Sequence, residues 1–309
     1  MPDTYSAQAL LDDKDVFAKL TPPAKLGVFG DPVAHSKSPY FHNAALKASG
    51  LDLQYVRLHA DAEIFSQAVK ALPEAGFIGA NVTIPHKQAA LEAVDEADDY
   101  AKQSGAVNTI LVQDGSLYGF NTDGPGLVRA IREEFFVDLR DARVLLLGAG
   151  GGAGRAIAVQ CALEGCERLV LANRTFEKAA AMATELGQYF RSDRLIGPAD
   201  RCVAVPQTPE GLRTEIGQVD LVINASSVGM KRTDPSPLPA ALLTANLLVF
   251  DTVYSGGKSR LVEDAEAAGA RACNGLPMLL HQGALSFEIW FNRKAPLDVM
   301  RKALLESVA

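Results

Sequence analysis

The stretch VLLLGAGGGAGRA, residues 144–156, constrains this chain more than any other. An apolar run of strand-forming residues feeds directly into Gly148, Ala149, Gly150, Gly151 and Gly152, and a helical pattern starts at Ala153. Gly148, Gly150 and Ala153 satisfy G-x-G-x-x-A in the one context where that pattern carries weight, between a strand and a helix. In a chain with 26 glycines the bare pattern would as readily signify only a loop. In context, the glycines allow a tight turn and close approach of a pyrophosphate. The helix start adds unpaired N–H groups and the positive end of its dipole. A dinucleotide is therefore expected on this turn.

The next strand candidate, 168–172, ends in Asn173-Arg174-Thr175. A site built for NAD usually places an acid here to hold the ribose 2′-hydroxyl. This chain has none at that point. Arg174 instead offers a planar donor fork suited to a 2′-phosphate, with Thr175 and Lys178 close by, so NADP is expected rather than NAD. A plainer alternative has Asn173 and Thr175 cap the next helix, with Arg174 a solvated charge, yet capping and phosphate binding can coexist at one helix start.

A length of 309 residues suits two ordinary domains. An acidic, helical N-terminal extension, 1–24, ends at Pro22-Pro23, and the folded core is expected from residue 25. Strand candidates at 25–30, 53–58 and 77–83 alternate with helical patterns to 72 and through 102, which implies a parallel-type α/β sheet. A helical segment near 124–134 joins a second unit. There, strand candidates at 143–147, 168–172, 220–224 and 247–253 alternate with helices such as 153–163, the pattern of a doubly wound nucleotide-binding domain. From 276 onward the chain reads as terminal helices, with Phe287, Ile289 and Trp290 as core, packing back onto the first domain. The expected fold is α/β in two domains. One is an α/β substrate domain, 25–122 completed by 275–309; the other is a Rossmann-type doubly wound NADP-binding domain, 123–274.

Bulk properties narrow the partner. A formal charge of −7 and a pI near 5.3 give no general attraction to nucleic acid or to an acidic membrane surface. No apolar run approaches the roughly 20 residues of a membrane helix, and residues 1–24 lack a basic start followed by an apolar core. Cys161, Cys166, Cys202 and Cys273 form no CxxC pair and read as reduced, mostly buried thiols. The five histidines give no metal-ligand spacing, so no metal is expected. A small-molecule partner and the cytoplasm are expected. The oligomeric state, a homodimer included, stays open.

Three polar motifs mark element ends in the first unit: His35-Ser36-Lys37-Ser38-Pro39, Asn81-Val82-Thr83-Ile84-Pro85-His86-Lys87 and Asn121-Thr122-Asp123-Gly124. In open α/β sheets ligands bind beyond the carboxyl ends of strands, so these groups could converge on a polyhydroxylated substrate. Singly, each has a local explanation as a helix start, an N1 proline or a turn. As a set in this order, with GAVNT, GAGGGAGRA, NRT, INASSVGM and MLLHQGA, they resemble the shikimate dehydrogenase family from about residue 25 to the C-terminus.

The resemblance implies NADP-dependent interconversion of 3-dehydroshikimate and shikimate, with Lys87 and Asp123 as the catalytic pair. It implies that Ser36 and Ser38 donate to the substrate carboxylate and that Thr83, Asn108 and Gln282 meet the ring hydroxyls and the reacting group, with Tyr254 as a further contact. Gly148 to Gly152, Ala153, Asn173, Arg174, Thr175, Lys178, Thr252 and Gly275 would surround NADP, and Asp99 is a further cofactor candidate. An ammonium at Lys87 can supply the proton that the reduced ketone oxygen needs; which of the pair is the formal base in the reverse direction stays open. Some closure of a cleft between the domains is expected on the same grounds.

Two departures stand out. The glycine loop is one residue longer than the GAGGAxRA form of the family, which leaves Gly151 and Gly152 unaligned to individual phosphates. After Tyr254 the chain has Ser255-Gly256-Gly257-Lys258-Ser259-Arg260 where relatives usually carry a proline and a Thr-Pro pair. Two other readings remain: a quinate/shikimate paralogue using NAD, and a catalytically silent NADP-sensing module. Ser38 and the missing acid at Asn173 argue against the first, and joint retention of Lys87 and Asp123 argues against the second.

Overall fold

The computed structural model describes residues 4–190, 201–254 and 257–308. The chain divides into two compact units, Met1–Thr122 with Leu279–Ala309, and Asp123–Met278. Along the first unit run β1 (Thr4–Ser6), α1 (Gln8–Asp12), β2 (Ala24–Gly30), α2 (Ser38–Ala48), β3 (Gln54–His59), α3 (Phe65–Ala71) and β4 (Gly79–Val82). They are followed by α4 (Lys87–Ala93), β5 (Glu96–Ala97), α5 (Asp99–Ser104), β6 (Thr109–Gln113) and β7 (Ser116–Phe120). Among the described residues these strands make one sheet, ordered β1-β3-β2-β4-β6-β7-β5.

β2 and β4 are almost wholly buried, with Leu26, Val28, Phe29, Ala80 and Val82 in the core, as befits strands covered on both faces. The sheet is mixed rather than parallel throughout. β6 runs antiparallel to both β4 and β7; the β6–β7 hairpin is closed by Asp114 and Gly115, with φ of 53° and 80°. Two consecutive residues of positive φ suit the tight hairpin turn whose twist matches the strands. This hairpin was not anticipated from the apolar pattern.

The residues before Pro22 also differ from expectation. Instead of a helical extension outside the core, they supply an edge strand, one short helix and core side chains. β1 pairs with β3, Thr4 opposite Arg57, and Ala7, Leu10 and Phe17 are buried. Phe17 meets Tyr5 and Phe77 edge to face, with ring centroids 5.4 and 5.5 Å apart.

The second unit opens with α6 (Asp123–Phe135), then β8 (Arg143–Leu147), α7 (Gly152–Glu164), β9 (Arg168–Asn173), α8 (Phe176–Leu186), β10 (Cys202–Pro206), α9 (Pro209–Glu215), β11 (Leu221–Asn224), β12 (Leu248–Asp251), α10 (Arg260–Ala267) and β13 (Arg271–Cys273). All pairings are parallel and the order is β10-β9-β8-β11-β12-β13. Counted within the unit this is 3-2-1-4-5-6, the Rossmann order, with its switch point between β8 and β11. β10 and β13 escaped the sequence reading because both are edge strands, largely half-buried, without a continuous apolar run.

α11 (Leu276–Phe291) and α12 (Leu297–Glu306) close the chain. Within the first unit, Trp290 donates its indole N–H to the Ile110 carbonyl at 2.9 Å, and Lys37 Nζ donates to the Ser307 carbonyl at 2.7 Å. The four cysteines are free, and burial pushes the Cys161 and Cys202 thiols up to about 12, which leaves them protonated at neutral pH. No helix among the described residues is long and apolar enough to cross a membrane.

Candidate active site

Strand directions bring the polar motifs of the first unit to one sheet edge. β2 and β4 are parallel, β6 is antiparallel to β4, and β7 is antiparallel to β6. The carboxyl ends of β2, β4 and β7 therefore share an edge with the amino end of β6. Ser36 and Ser38 follow β2, Thr83 and Lys87 follow β4, Asn108 precedes β6, and Thr122 follows β7.

Buried hydrogen bonds join Ser38, Asn108 and Thr122. Asn108, 2% exposed, accepts from the Thr122 backbone N–H at 2.8 Å and donates to Gln282 Oε1 at 3.5 Å. Asn81 donates through its amide to Ser286 Oγ at 2.9 Å, to Thr109 Oγ1 at 3.1 Å and to the Asn108 carbonyl at 3.1 Å. Its carbonyl oxygen accepts the Tyr55 hydroxyl at 2.8 Å. Burial pushes the Tyr55 phenol well up, partly offset by a hydrogen bond with Ser38 and by the Arg57 charge. Ser38, Asn108 and Gln282 are thus strung on one network, which fixes rotamers that would otherwise be free.

The network includes Asn81 and Thr122 of the polar motifs, and three residues to which the sequence reading gave no role: Tyr55, Thr109 and Ser286. The last stands four residues after Gln282 and bonds its carbonyl at 3.0 Å; that helical spacing was the available signal. Arg57, likewise unassigned and 4% exposed, grips the Ser36 carbonyl with Nε at 3.1 Å and Nη2 at 2.6 Å.

Lys87 opens α4 and is half-buried; its carbonyl accepts the Val107 N–H at 2.9 Å, pinning the helix start beside Asn108. Preceding it, the buried His86 donates Nε2–H to the Ala60 carbonyl at 2.7 Å and stacks on Phe65, centroids 4.3 Å apart. Thr83 continues the ladder through its N–H to the Phe29 carbonyl. Asp123 is buried at the first residue of α6. Asp99 lies on the exposed first turn of α5, the one cofactor candidate in the first unit. Tyr254 is half-buried after β12, where burial raises its phenol pKa. Ser255 and Gly256 lie outside the described residues.

In the second unit the glycine loop follows β8 at the switch point. Gly148 has φ +76°, and a Cβ there would lie 2.7 Å from Ser226 Cβ. At Gly150 a Cβ would fall 2.7 Å from Asn173 Nδ2 and 2.9 Å from Lys178 Cβ. Gly150 N–H donates to Asn173 Oδ1 at 3.1 Å, and Asn173 Nδ2 donates to the Thr175 carbonyl at 2.9 Å. Asn173 thereby couples the loop to the start of α8, where Arg174, Thr175 and Lys178 are exposed. Thr175 holds the N-cap position without a side-chain capping bond.

Ala153, the sixth position of the G-x-G-x-x-A pattern, is exposed, and the close helix-to-strand approach is made by buried Gly154, whose Cβ would run into the Gly148 carbonyl oxygen. The loop reads G-x-G-x-x-x-G, and its extra residue displaces the packing position by one. Nearby, a Cβ at Gly275 would strike the Thr252 carbonyl, so these two candidates are neighbours. Side chains absent where backbone must approach, a helix start and exposed cations together fit a dinucleotide. Among the described residues no cluster of His, Cys, Asp or Glu could hold a metal ion.

Comparison with known proteins agrees with this geometry. Family models described as shikimate dehydrogenase substrate binding domain, shikimate / quinate 5-dehydrogenase and shikimate 5′-dehydrogenase C-terminal domain match residues 28–110, 130–204 and 275–305. A shikimate dehydrogenase (NADP(+)) of Methanopyrus kandleri is 41% identical over 91% of this chain and 94% of its own. One from Moorella thermoacetica is 40% identical over 92% and 93%. The crystal structure of shikimate 5-dehydrogenase from Thermus thermophilus with NADP(H) and shikimate superposes with a TM-score of 0.80, at 35% identity, covering 92% of this chain and 99% of that one. With such identity sustained across nine-tenths of its length, the chain belongs to the shikimate dehydrogenase family.

Proposed function

We propose that this protein reduces 3-dehydroshikimate to shikimate, reversibly, with NADP as its cofactor and a small-molecule acid as its partner, in the cytoplasm. The observation that carries the reading is the run of buried hydroxyl and amide groups from Ser38 through Tyr55 and Asn81 to Asn108 and Gln282. Such a row matches a ligand with one carboxylate and several ring hydroxyls.

In this reading Ser36 and Ser38 donate to the carboxylate, Thr83, Asn108 and Gln282 hold the hydroxyls and the reacting group, and Tyr254 adds a contact. The reduced nicotinamide supplies the hydride. Lys87 gives a proton to the oxygen on which negative charge develops, and Asp123 orients the Lys87 ammonium and a substrate hydroxyl. Gly148 to Gly152 take the pyrophosphate, with Gly154 allowing helix and strand to close behind them. Asn173 holds the loop, and Arg174 and Lys178 take the 2′-phosphate beside Thr175. Asp99, Thr252 and Gly275 complete the nucleotide's surroundings.

The test pairs shikimate or quinate with NADP or NAD and follows absorbance of the reduced nicotinamide. Rapid reduction with shikimate and NADP alone supports the proposal. Preference for quinate or NAD would assign the chain to the other branch of the family, and NADP binding without turnover in any pairing would mark a silent nucleotide sensor.

A further inference from the structure

The last rung of the second sheet holds a carboxylate that the proposed reaction does not use. Asp251 ends β12 with no exposed surface and stands opposite Asn224 at the end of β11, which stands opposite Leu147 at the end of β8. Its described partners are neutral donors: Asn224 Nδ2 at 2.9 Å, the Val253 N–H at 3.1 Å and the Ser259 hydroxyl. Burial pushes its pKa up against the pull of these donors. A buried carboxylate without a cation among its described partners is costly, and an apolar residue would fill a strand end more cheaply.

What the carboxylate orders is the turn after β11. Asn224, fully buried, gives its amide to Asp251 and to the Val228 carbonyl at 3.1 Å. Its oxygen is thereby aimed at Ser226, accepting the backbone N–H at 3.1 Å and the hydroxyl at 2.7 Å. Ser226 is the residue against which Gly148 packs, leaving no room for a Cβ. On its other side, Asp251 accepts from Ser259, whose hydroxyl also caps α10 through the Val262 N–H.

We propose that Asp251 is a positioning residue for the nucleotide: through Asn224 and Ser226 it sets the turn that supports the Gly148 end of the phosphate loop. It has no exposed surface with which to touch a ligand. The inference rests on NADP being the ligand, and its test needs no turnover.

Dissociation constants for NADP+ are measured by titration calorimetry on the wild type, Asp251→Asn, Ser259→Ala and Ser259→Thr. Asp251→Asn removes the charge and sets an amide N–H2 against one side of the site, either the Ser259 hydroxyl or the Asn224 and Val253 donors, and is expected to weaken NADP+ binding about tenfold or more. Its KM for shikimate, set mainly by residues of the first unit, is expected to stay within about twofold. Ser259→Ala should weaken NADP+ binding a few-fold, and Ser259→Thr, which keeps the hydroxyl, should restore it. Equal NADP+ affinity in Asp251→Asn and wild type overturns the proposal, as does a parallel change in KM for both substrates, the mark of general loosening. If Asp251→Asn does not fold, the Ser259 pair decides, and unchanged affinity in Ser259→Ala overturns it. A wild type that does not bind NADP+ defeats the cofactor reading instead, a distinct result.

Discussion

The side-chain amide of Asn81 lies 2.9 Å from the hydroxyl of Ser286, although 205 residues separate them in the chain. That bond ties the strand end leading to Thr83 to the helix carrying Gln282. Ser286 is fully buried and also lies 2.8 Å from Thr109 Oγ1. Replacing it by alanine leaves buried polar partners short of a bond, at a cost of about 1–3 kcal/mol. Ser286→Ala is therefore expected to lower urea stability by that amount and to raise KM for shikimate several-fold with KM for NADP unchanged. A normal KM for shikimate would show that Gln282 and Asn108 hold their places without it.

Gly154→Ala probes the close approach of helix and loop. Its Cβ would collide with backbone at Gly148 and Ala149, neither of which can swing aside as a side chain tip can. The loop must move or the helix must retreat from β8, and affinity for NADP should fall at least about tenfold, which is about 1.4 kcal/mol. Fluorescence titration with NADPH would reveal it, and undiminished binding would show that the close approach at Gly154 does not shape the phosphate loop.

Arg174→Ala tests cofactor choice. A charge-assisted bond to a phosphate is worth about 1.5–3 kcal/mol, roughly ten- to hundredfold. kcat/KM with NADP is expected to drop by that factor while the value with NAD stays put. Equal losses with both nucleotides would mean that Arg174 does not read the 2′-phosphate.

Lys87→Ala should lower kcat by about 10²–10⁴, the usual worth of a positioned acid–base group, with NADP+ affinity intact by calorimetry. Unchanged turnover would remove Lys87 from the chemistry.

His42 predicts a pH effect on stability. It is fully buried, stacked on Tyr55 at 4.4 Å and near Trp290 at 5.2 Å, and burial lowers its pKa from 6.5 to about 3. The unfolded chain therefore binds a proton that the folded chain refuses between these values. Stability contributed by His42 is present in full above pH 6.5 and is lost as pH falls toward 3, by up to about 1.4 kcal/mol per pH unit. Denaturation midpoints of His42→Phe, followed from about pH 7 to about pH 5, should fall less steeply than those of the wild type; an equal slope would count against this account.

Several features were determined by the sequence alone because their signals are local. VLLLGAGGGAGRA placed a strand, a phosphate-type loop and a helix within thirteen consecutive residues, and Asn173-Arg174-Thr175 marked the end of the next strand. Strand–helix alternation was enough for a doubly wound second unit, and continuous apolar runs located β2 and β8, which are covered on both faces. The family motifs gathered the candidate substrate residues in order.

Tertiary structure decided the rest, because the deciding contacts lie between distant residues. Thr4–Ser6 has no strand pattern of its own and becomes a strand only by pairing with β3. The Asp114-Gly115 hairpin was readable in principle, but it takes pairing with β4 to make the sheet mixed and to bring Asn108 beside Thr83. The choice of Gly154 over Ala153 depends on which helix face meets the Gly148 carbonyl, a matter of about one hundred degrees of rotation per residue that a glycine pattern does not encode. Buried polar networks such as Asn81 with Ser286 and Asn224 with Asp251 form only after folding has closed the chain and excluded water, which makes each such bond both strong and obligatory.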